Sequence, residues 1–180
     1  TELWDFSLVD PDNRRRVDYT RRQALLHDLA PAVATAGEAA VAAELAANPR
    51  HDRMKLYASR TLLRFRRSNL DLFQTGGYRS LGAFGNRSDH VLAFARVLGT
   101  RSVAVVVPRL TATLLPDPEI PPLGEAVWGD TTIDAPPDGP ASYRHVLTGA
   151  AICARESGGR RVFRAADVFA TFPMAFLDPR

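Results

Sequence analysis

The residues of this chain with the most obvious chemical potential lie in its first nineteen positions, "TELWDFSLVDPDNRRRVDY". This stretch holds three aromatic residues, five carboxylates and three consecutive arginines, without a helical or a strand period. Asp10 and Asp12 are spaced like the first two ligands of a calcium loop. Arg15 then stands where such a loop needs glycine, and Arg21 stands where it needs glutamate. Calcium binding is therefore not expected.

The two aspartates could also form a catalytic carboxylate pair. Glycoside chemistry needs two carboxyl groups about 5–10 Å apart, one of which is protonated near neutral pH. Three arginines follow at positions 14–16, and nearby positive charge lowers the pKa of a carboxyl group. Asp10 and Asp12 should therefore both be ionised, which makes them poor general acids. We therefore do not expect this pair to be catalytic.

A sugar-binding role suits the same stretch better. Ionised carboxylates accept hydrogen bonds from sugar hydroxyls, and Arg14 or Arg15 can present a planar fork of donors. Trp4 and Phe6 offer apolar ring faces against which a sugar ring can lie. The competing interpretation is a turn fixed by the Asp-Pro and Asp-Asn pairs, with side chains that only cap the local backbone.

Metal and nucleotide chemistry find little support elsewhere in the chain. Cys153 and the four histidines, His27, His51, His90 and His145, do not have the spacing of metal ligands. The sequence contains no P-loop, no G-x-G-x-x-G and no G-x-S-x-G. We therefore expect neither a metal nor a cofactor.

Charge and hydropathy limit the partners and the compartment. The net charge is only +3, and the basic residues are spread over both halves of the chain, so a nucleic-acid partner is not expected. The single cysteine fits a reducing compartment, and we expect a cytoplasmic protein. Because no apolar run approaches the ~20 residues that span a bilayer, we expect no membrane segment.

The segment after the opening stretch, residues 18–67, is predicted to be helical. Asp18 is a suitable N-cap for a helix that runs to about Leu29 and stops at Pro31. An alanine-rich segment follows it. The clearest helix comes next, because one of its faces is apolar at positions i, i+3, i+4, i+7, i+8 and i+11. That face consists of Met54, Tyr57, Ala58, Thr61, Leu62 and Phe65.

From Gly76 onward the pattern changes to short strands. The runs "YRSLGAF", "HVLAFARVL", "SVAVVVPRL", "EAVWGDTTIDAP" and "SYRHVLTG" are rich in β-branched and aromatic residues and are bounded by turn residues. The segment "LLPDPEIPPLGE" is predicted to be a loop, since its prolines do not suit a central strand. Near the end, "AADVFATFPMAFL" is predicted to form a short helix that leads into a last strand. Regularly spaced strands of this kind favour an antiparallel sandwich.

The opening stretch resembles the segment after the eighth barrel strand of the maltooligosyl trehalose synthases, which belong to the α-amylase family. "KLYASRTLLRFRRSNLDLFQTGGYRSL" is similar to the last barrel helix and its exit. "DHVLAFARVLGTRSVAVVVPRL", "WGDTTIDAP", "YRHVLTG" and "VFATFPMAFL" resemble successive parts of the C-terminal β-domain. The resemblance covers nearly the whole chain. One departure is Arg16, which stands where the family pattern has proline.

The resemblance implies an α+β fold in two parts. Residues 1–75 would be the helical end of a (β/α)₈ barrel, with the loop after its eighth strand. Residues 76–180 would be an antiparallel β-sandwich domain. Since barrel enzymes build their sites from the loops after the strands, residues 1–17 would form one wall of a sugar pocket. The substrate-binding residues expected there are Trp4, Asp10, Asp12, Asn13, Arg14 and Arg15.

The resemblance also implies the reaction and the partners. The family converts the α-1,4 link at the reducing end of a maltooligosaccharide into an α,α-1,1 link by intramolecular transglycosylation, in trehalose biosynthesis. Its catalytic carboxylates lie on earlier barrel strands, so the expected partner is the N-terminal catalytic part of the same enzyme. This chain alone is expected to be inactive. The alternative is a stand-alone β-sandwich module that binds carbohydrate or serves as a scaffold.

Overall fold

A computed structural model describes Leu3 and residues 17–117 and 119–179 of the chain. The helices are α1 (Tyr19–Ala47), α2 (Asp52–Ser68), α3 (Leu70–Gln74), α4 (Thr111–Leu114), α5 (Glu125–Trp128) and α6 (Ala165–Val168), with a 3₁₀ turn at Ser88–His90. The strands are β1 (Gly77–Ser80), β2 (Ala83–Phe84), β3 (Val91–Leu98), β4 (Arg101–Pro108), β5 (Thr132–Asp134), β6 (Ser142–His145), β7 (Ala151–Cys153), β8 (Arg155–Ser157), β9 (Arg160–Arg164) and β10 (Ala175–Pro179).

The strands form two sheets in the described part of the chain. Six strands form one sheet in the order β1-β3-β4-β10-β6-β7, and four form the other in the order β2-β5-β9-β8. Every pairing in both sheets is antiparallel. The prediction of a mixed fold of helices and antiparallel strands is therefore confirmed.

Two buried clusters hold these elements together. The sheet cluster draws side chains from both sheets, among them Ala95, Val106, Ile133, Phe163 and Leu177. The helical cluster joins α1 and α2 to two residues from the sheet region. Its members are Leu3, Leu29, Val41, Ala42, Leu45, Ala46, Met54, Leu56, Tyr57, Leu147 and Phe172. The helices are thus attached to the sheets by burial of apolar surface.

Helix α1 begins as predicted but bends at a different residue. The Asp18 carboxylate accepts a 2.8 Å hydrogen bond from the backbone N–H of Arg21, which confirms Asp18 as the N-cap. The prediction that the helix stops at Pro31 is wrong, because Pro31 lies inside it. The break comes at Gly37, with φ 84° and ψ 160°, a conformation that side chains with a Cβ rarely adopt.

Helix α2 matches its prediction in extent, and its apolar face is buried in part. Met54 and Tyr57 are buried, whereas Leu62 and Phe65 are only half-buried. Leu56, which lies off the predicted face, is also buried in the helical cluster. Burial therefore concentrates in the first half of the helix, and the second half of its apolar face is more open.

The strand predictions were right for the hairpin β3–β4 and for β6 and β10. The single predicted run "YRSLGAF" instead forms two strands, β1 and β2, which belong to different sheets. The prolines of the predicted loop lie outside the strands among the described residues. Within "EAVWGDTTIDAP" the prediction was right only for β5, since Trp128 ends the short helix α5. Three strands between residues 151 and 164 were not predicted.

By length and composition, one helix in the described residues could cross a membrane, namely α1, with a window of mean hydropathy 1.2. Its residues Leu29, Val41 and Leu45 are buried in the helical cluster, and it bends at Gly37. Of the apolar window itself, 28% is buried in the described structure. The expectation that no apolar run is long enough to span a bilayer is therefore not met by α1 on length and composition.

Candidate functional site

The predicted sugar-binding residues lie outside the described part of the chain. They are Trp4, Asp10, Asp12, Asn13, Arg14 and Arg15. The structure describes a residue on each side of this segment, namely Leu3 and Asp18. Leu3 is 5% exposed within the helical cluster, and Asp18 caps α1. Both sides of the predicted pocket segment are therefore anchored on the helical part of the molecule.

A polar cleft of about 240 Å³ lies where α1 and α2 face each other. Its lining residues are Ala30, Val33, Glu38, Tyr57, Arg60, Thr61 and Arg64. The four from α2 are spaced at i, i+3, i+4 and i+7, which places them on one face of that helix. Glu38 reaches the cleft because it follows the bend at Gly37.

An ion pair connects this cleft to the six-stranded sheet. The guanidinium of Arg144, on β6, donates a hydrogen bond to the carboxylate of Glu38. Gly149 leaves room for that carboxylate, because a Cβ there would lie 2.7 Å from Glu38 Oε2. Since the carboxylate is already paired with a cation, Glu38 is held as a structural contact between α1 and β6.

Tyr57 is the central buried polar group of the cleft. Its hydroxyl donates a 2.6 Å hydrogen bond to the backbone carbonyl of Leu147, and its ring meets Phe172 edge-on, with centroids 6.2 Å apart. Burial, with the charge of Glu38 as a second cause, raises the pKa of Tyr57 to about 12. The phenol therefore stays protonated at neutral pH and serves as a fixed donor.

Two arginines complete the cleft. Burial lowers the pKa of Arg60, and the positive charge of Arg64 lowers it further. The described residues provide no ion-pair partner for either guanidinium. The cleft therefore offers donors of hydrogen bonds and positive charge, which suit binding more than proton transfer.

His145 is buried beside this region, at 2% exposure. Its Nδ1 accepts a hydrogen bond from the backbone N–H of Leu147 at 3.2 Å. Burial is the main cause that lowers the pKa of His145 to about 4, so the imidazole is neutral at physiological pH. Among the described residues, no group of three or more His, Cys, Asp or Glu side chains could hold a metal ion.

Two apolar grooves run beside α2. The first, of about 410 Å³, is lined mainly by Met54, Ala58, Leu62, Phe172 and Met174. The second, of about 380 Å³, is lined largely by prolines and aliphatic residues of the loop between α4 and α5. Both are lined by Met54 and Pro173, so they form one continuous apolar surface, called here the α2 surface.

Sequence reasoning placed Tyr57 on an apolar helix face but missed its hydrogen bond and its neighbours Glu38 and Arg60. The i, i+3 spacing of Tyr57 and Arg60 was visible in the sequence. The position of Glu38 was not visible, because it depends on the break at Gly37, whereas the sequence predicted a helix end at Pro31. The cleft is therefore a feature that only the folded chain shows, whereas Met54, Ala58 and Leu62 of the α2 surface belong to the apolar face predicted from the sequence.

Comparison with known proteins gives the family resemblance. No protein-family model matches the chain. Over 133 residues, or 72% of this chain, it is 35% identical to the putative maltooligosyl trehalose synthase of two Mycobacterium tuberculosis strains. The solved structure of maltooligosyltrehalose synthase from Arthrobacter ramosus, and a mutant of it, match 99% of this chain with a TM-score of 0.67 and 29% identity.

The chain is homologous to part of the maltooligosyl trehalose synthases. The predicted resemblance is thus confirmed in sequence and in fold. The chain spans only 14% of the length of the mycobacterial relatives and 19% of the Arthrobacter chain. Most of a maltooligosyl trehalose synthase therefore has no counterpart in these 180 residues.

Proposed function

We propose that this chain is the C-terminal part of a maltooligosyl trehalose synthase. The complete enzyme would convert the reducing-end α-1,4 linkage of a maltooligosaccharide into an α,α-1,1 linkage, by intramolecular transglycosylation in trehalose biosynthesis. The observation that carries this proposal is the match of 99% of the chain to the Arthrobacter enzyme, with 29% identity and a TM-score of 0.67.

Within that enzyme, we assign residues 1–75 to the end of the catalytic barrel and residues 76–180 to a C-terminal β-sandwich. Two observations support this division. The sheet cluster contains residues of both sheets, as a sandwich core would. The helical cluster is built mostly from α1 and α2, and the chain passes from α3 to β1 close to the proposed boundary.

The proposed substrate contacts come from residues 1–17. Asp10, Asp12 and Asn13 would hydrogen-bond sugar hydroxyls, Arg14 and Arg15 would donate to them, and the ring of Trp4 would lie against a sugar face. Among the described residues next to this segment, Leu3 is buried in the helical cluster and Asp18 caps α1. The catalytic carboxylates belong to the rest of the enzyme in this proposal, and neither a cofactor nor a metal is required.

The N-terminal catalytic part of the enzyme is the proposed partner, and the α2 surface is where it would pack. That surface is apolar and continuous across two grooves, and Lys55 and Asp117 are the charged residues among its described lining. Contiguous apolar surface of this kind marks an interface. The much greater length of the relatives supplies the chain that would cover it.

The test is a transglycosylation assay on the complete protein that contains this chain. Incubation with maltopentaose should remove the reducing end without release of free glucose, and the anomeric proton spectrum should show an α,α-1,1 linkage. The 180-residue chain alone should give no product. Free glucose as the main product would indicate a hydrolase and contradict the proposal.

A second candidate function is a carbohydrate-binding or scaffolding module formed by residues 76–180. The observation in its favour is that the two sheets share one buried cluster, which would let this part fold independently. Sugar binding by the isolated residues 76–180, together with an inactive complete protein, would favour this candidate.

A further inference from the structure

An exposed aromatic strip lies at the edge of the six-stranded sheet. It consists of Tyr78 on β1 with Phe94 and Leu92 on β3. Tyr78 is 62% exposed and Leu92 is 43% exposed. The rings of Tyr78 and Phe94 stack, with centroids 4.9 Å apart and an interplanar angle of 25°. Large apolar side chains grouped in this way on a surface indicate a binding function more than a solvated face.

The strand register explains why the strip faces outward. Ala93 and Ala95 belong to the sheet cluster, so the alternating residues Leu92 and Phe94 lie on the opposite face of β3. Tyr78 pairs with Arg96 across the two strands, which places Tyr78 on that same outer face. Since β1 is the edge strand, one side of its backbone also faces away from the sheet.

The Tyr78 ring is held in place rather than free. One of its faces rests on Phe94, which is half-buried. Its cross-strand neighbour Arg96 is fixed by a 3.1 Å hydrogen bond to the backbone carbonyl of Phe73. With one face on Phe94 and most of the residue exposed, the other ring face is open to solvent. Pre-arrangement of this kind lowers the entropy that a ligand must lose on binding.

We propose that Tyr78, supported by Phe94, is a surface binding site for α-glucan chains. A flat, fixed and amphipathic ring matches the apolar C–H face of a glucose unit, while its hydroxyl and the nearby Ser80 can bond to sugar hydroxyls. A protein partner fits this strip less well than it fits the α2 surface, which is more continuous and more apolar.

This inference depends on the proposed function, because that function makes an α-glucan the available ligand. A site of this kind would hold long chains near the enzyme and would leave short substrates unaffected. Tyr78→Ala should therefore weaken the binding of glycogen and soluble amylose, while kcat/KM for maltopentaose stays unchanged.

The experiment compares complete wild-type protein with Tyr78→Ala and Tyr78→Phe by retardation in native gels that contain glycogen. We expect about tenfold weaker binding for Tyr78→Ala and near wild-type binding for Tyr78→Phe, which keeps the ring. Tyr19→Ala is the matched control, since Tyr19 is 68% exposed on α1, and it should bind like wild type.

Equal retardation of wild type and Tyr78→Ala would overturn the proposal. Loss of thermal stability in Tyr78→Ala, without a change in glycogen binding, would overturn it too and would assign the strip to a protein contact. Turnover of maltopentaose by wild type is measured separately. Its absence would refute the proposed function, whereas the gel comparison would still decide whether Tyr78 binds glucan.

Discussion

The hydroxyl of Tyr57 donates a 2.6 Å hydrogen bond to the backbone carbonyl of Leu147, 90 residues further along the chain. The bond is buried, and both residues belong to the helical cluster. It joins α2 to the turn after β6, the strand that carries Arg144 and His145. This single contact therefore couples the helical part of the molecule to the six-stranded sheet.

Removal of that hydroxyl should destabilise the complete protein. Tyr57→Phe keeps the ring against Phe172 but leaves the buried carbonyl of Leu147 without this donor, at a cost of about 1–3 kcal/mol. The measurement is urea denaturation, with hydrogen exchange of the α2 amides as a local probe. Tyr19→Phe removes an exposed hydroxyl and serves as the control. Equal protection of the α2 amides in all three proteins would show that the bond has no energetic role.

The buried His145 should make stability depend on pH. Its folded pKa of about 4 lies below the ordinary value of 6.5, so the unfolded state binds more protons between these values. Its contribution is present above pH 6.5 and is lost as the pH falls through 4. Between pH 7 and pH 5 the loss should be about 2 kcal/mol.

His145→Gln tests that dependence, because glutamine does not titrate. Its unfolding free energy should fall less than that of wild type between pH 7 and pH 5. The control is His27→Gln, since the side chain of His27 is 89% exposed. If His145→Gln loses as much stability as wild type between pH 7 and pH 5, groups other than His145 cause the acid sensitivity.

The bend in α1 should require glycine. Gly37 has φ 84° and ψ 160°, and nothing lies within 4 Å of a Cβ built there, so the cost of an alanine is conformational and not steric. Gly37→Ala should lose about 1–3 kcal/mol of unfolding free energy and should weaken the contact between Glu38 and Arg144. Gly77→Ala is the control, because its φ is not in the left-handed region and its nearest atom is 3.8 Å away. Equal stability of the two variants would mean that the bend tolerates a Cβ.

The predicted sugar pocket is tested in the complete enzyme. Arg14→Ala or Arg15→Ala should reduce trehalose-type product formation by about 10-fold or more, equivalent to ~1.4 kcal/mol of transition-state stabilisation. Steady-state kinetics with maltopentaose measure the effect. Arg66→Ala, at an exposed position on α2, is the control. Unchanged kinetics for both pocket variants would mean that the opening stretch has only the structural role of a turn.

Local pattern predicted two elements whose burial is one-sided, α2 and β3. The apolar spacing of α2 and the alternation of β3 come from faces that meet a core, so both were found. Strand β8 was missed because all three of its residues are exposed and no apolar face marks it. Its turn was nevertheless visible as Gly158-Gly159, which both adopt positive φ and join β8 to β9 in a two-residue hairpin.

The candidate site was less predictable than the fold. Proline was expected to end α1, but Pro31 remained within the helix and Gly37 provided the bend. The cleft depends on that bend and on the contact between Tyr57 and Leu147, which joins distant parts of the sequence. Neither relationship can be recognised from a short stretch of neighbouring residues in the sequence.

The last prediction concerns the α2 surface. Its outcome distinguishes a chain that is part of a larger enzyme from a chain that is an autonomous module. Leu62 is half-buried and lines the first groove, whereas its neighbour Leu63 is 64% exposed and does not. If the N-terminal part of the enzyme packs there, Leu62 becomes fully buried in the complete protein. Leu62→Ala should then cost roughly 2–5 kcal/mol in the complete protein and about 1 kcal/mol in the chain alone.

A second experiment tests the same surface by measuring whether the N-terminal part of the enzyme associates with this chain. The N-terminal part and the 180-residue chain, expressed together as separate polypeptides, should elute as one complex in size-exclusion chromatography. Leu62→Asp should weaken that complex because it buries an unpaired carboxylate, while Leu63→Asp should not. If the chain alone elutes as a monodisperse monomer with α1 and α2 strongly protected from hydrogen exchange, its helices need no partner, and the autonomous module becomes the better account.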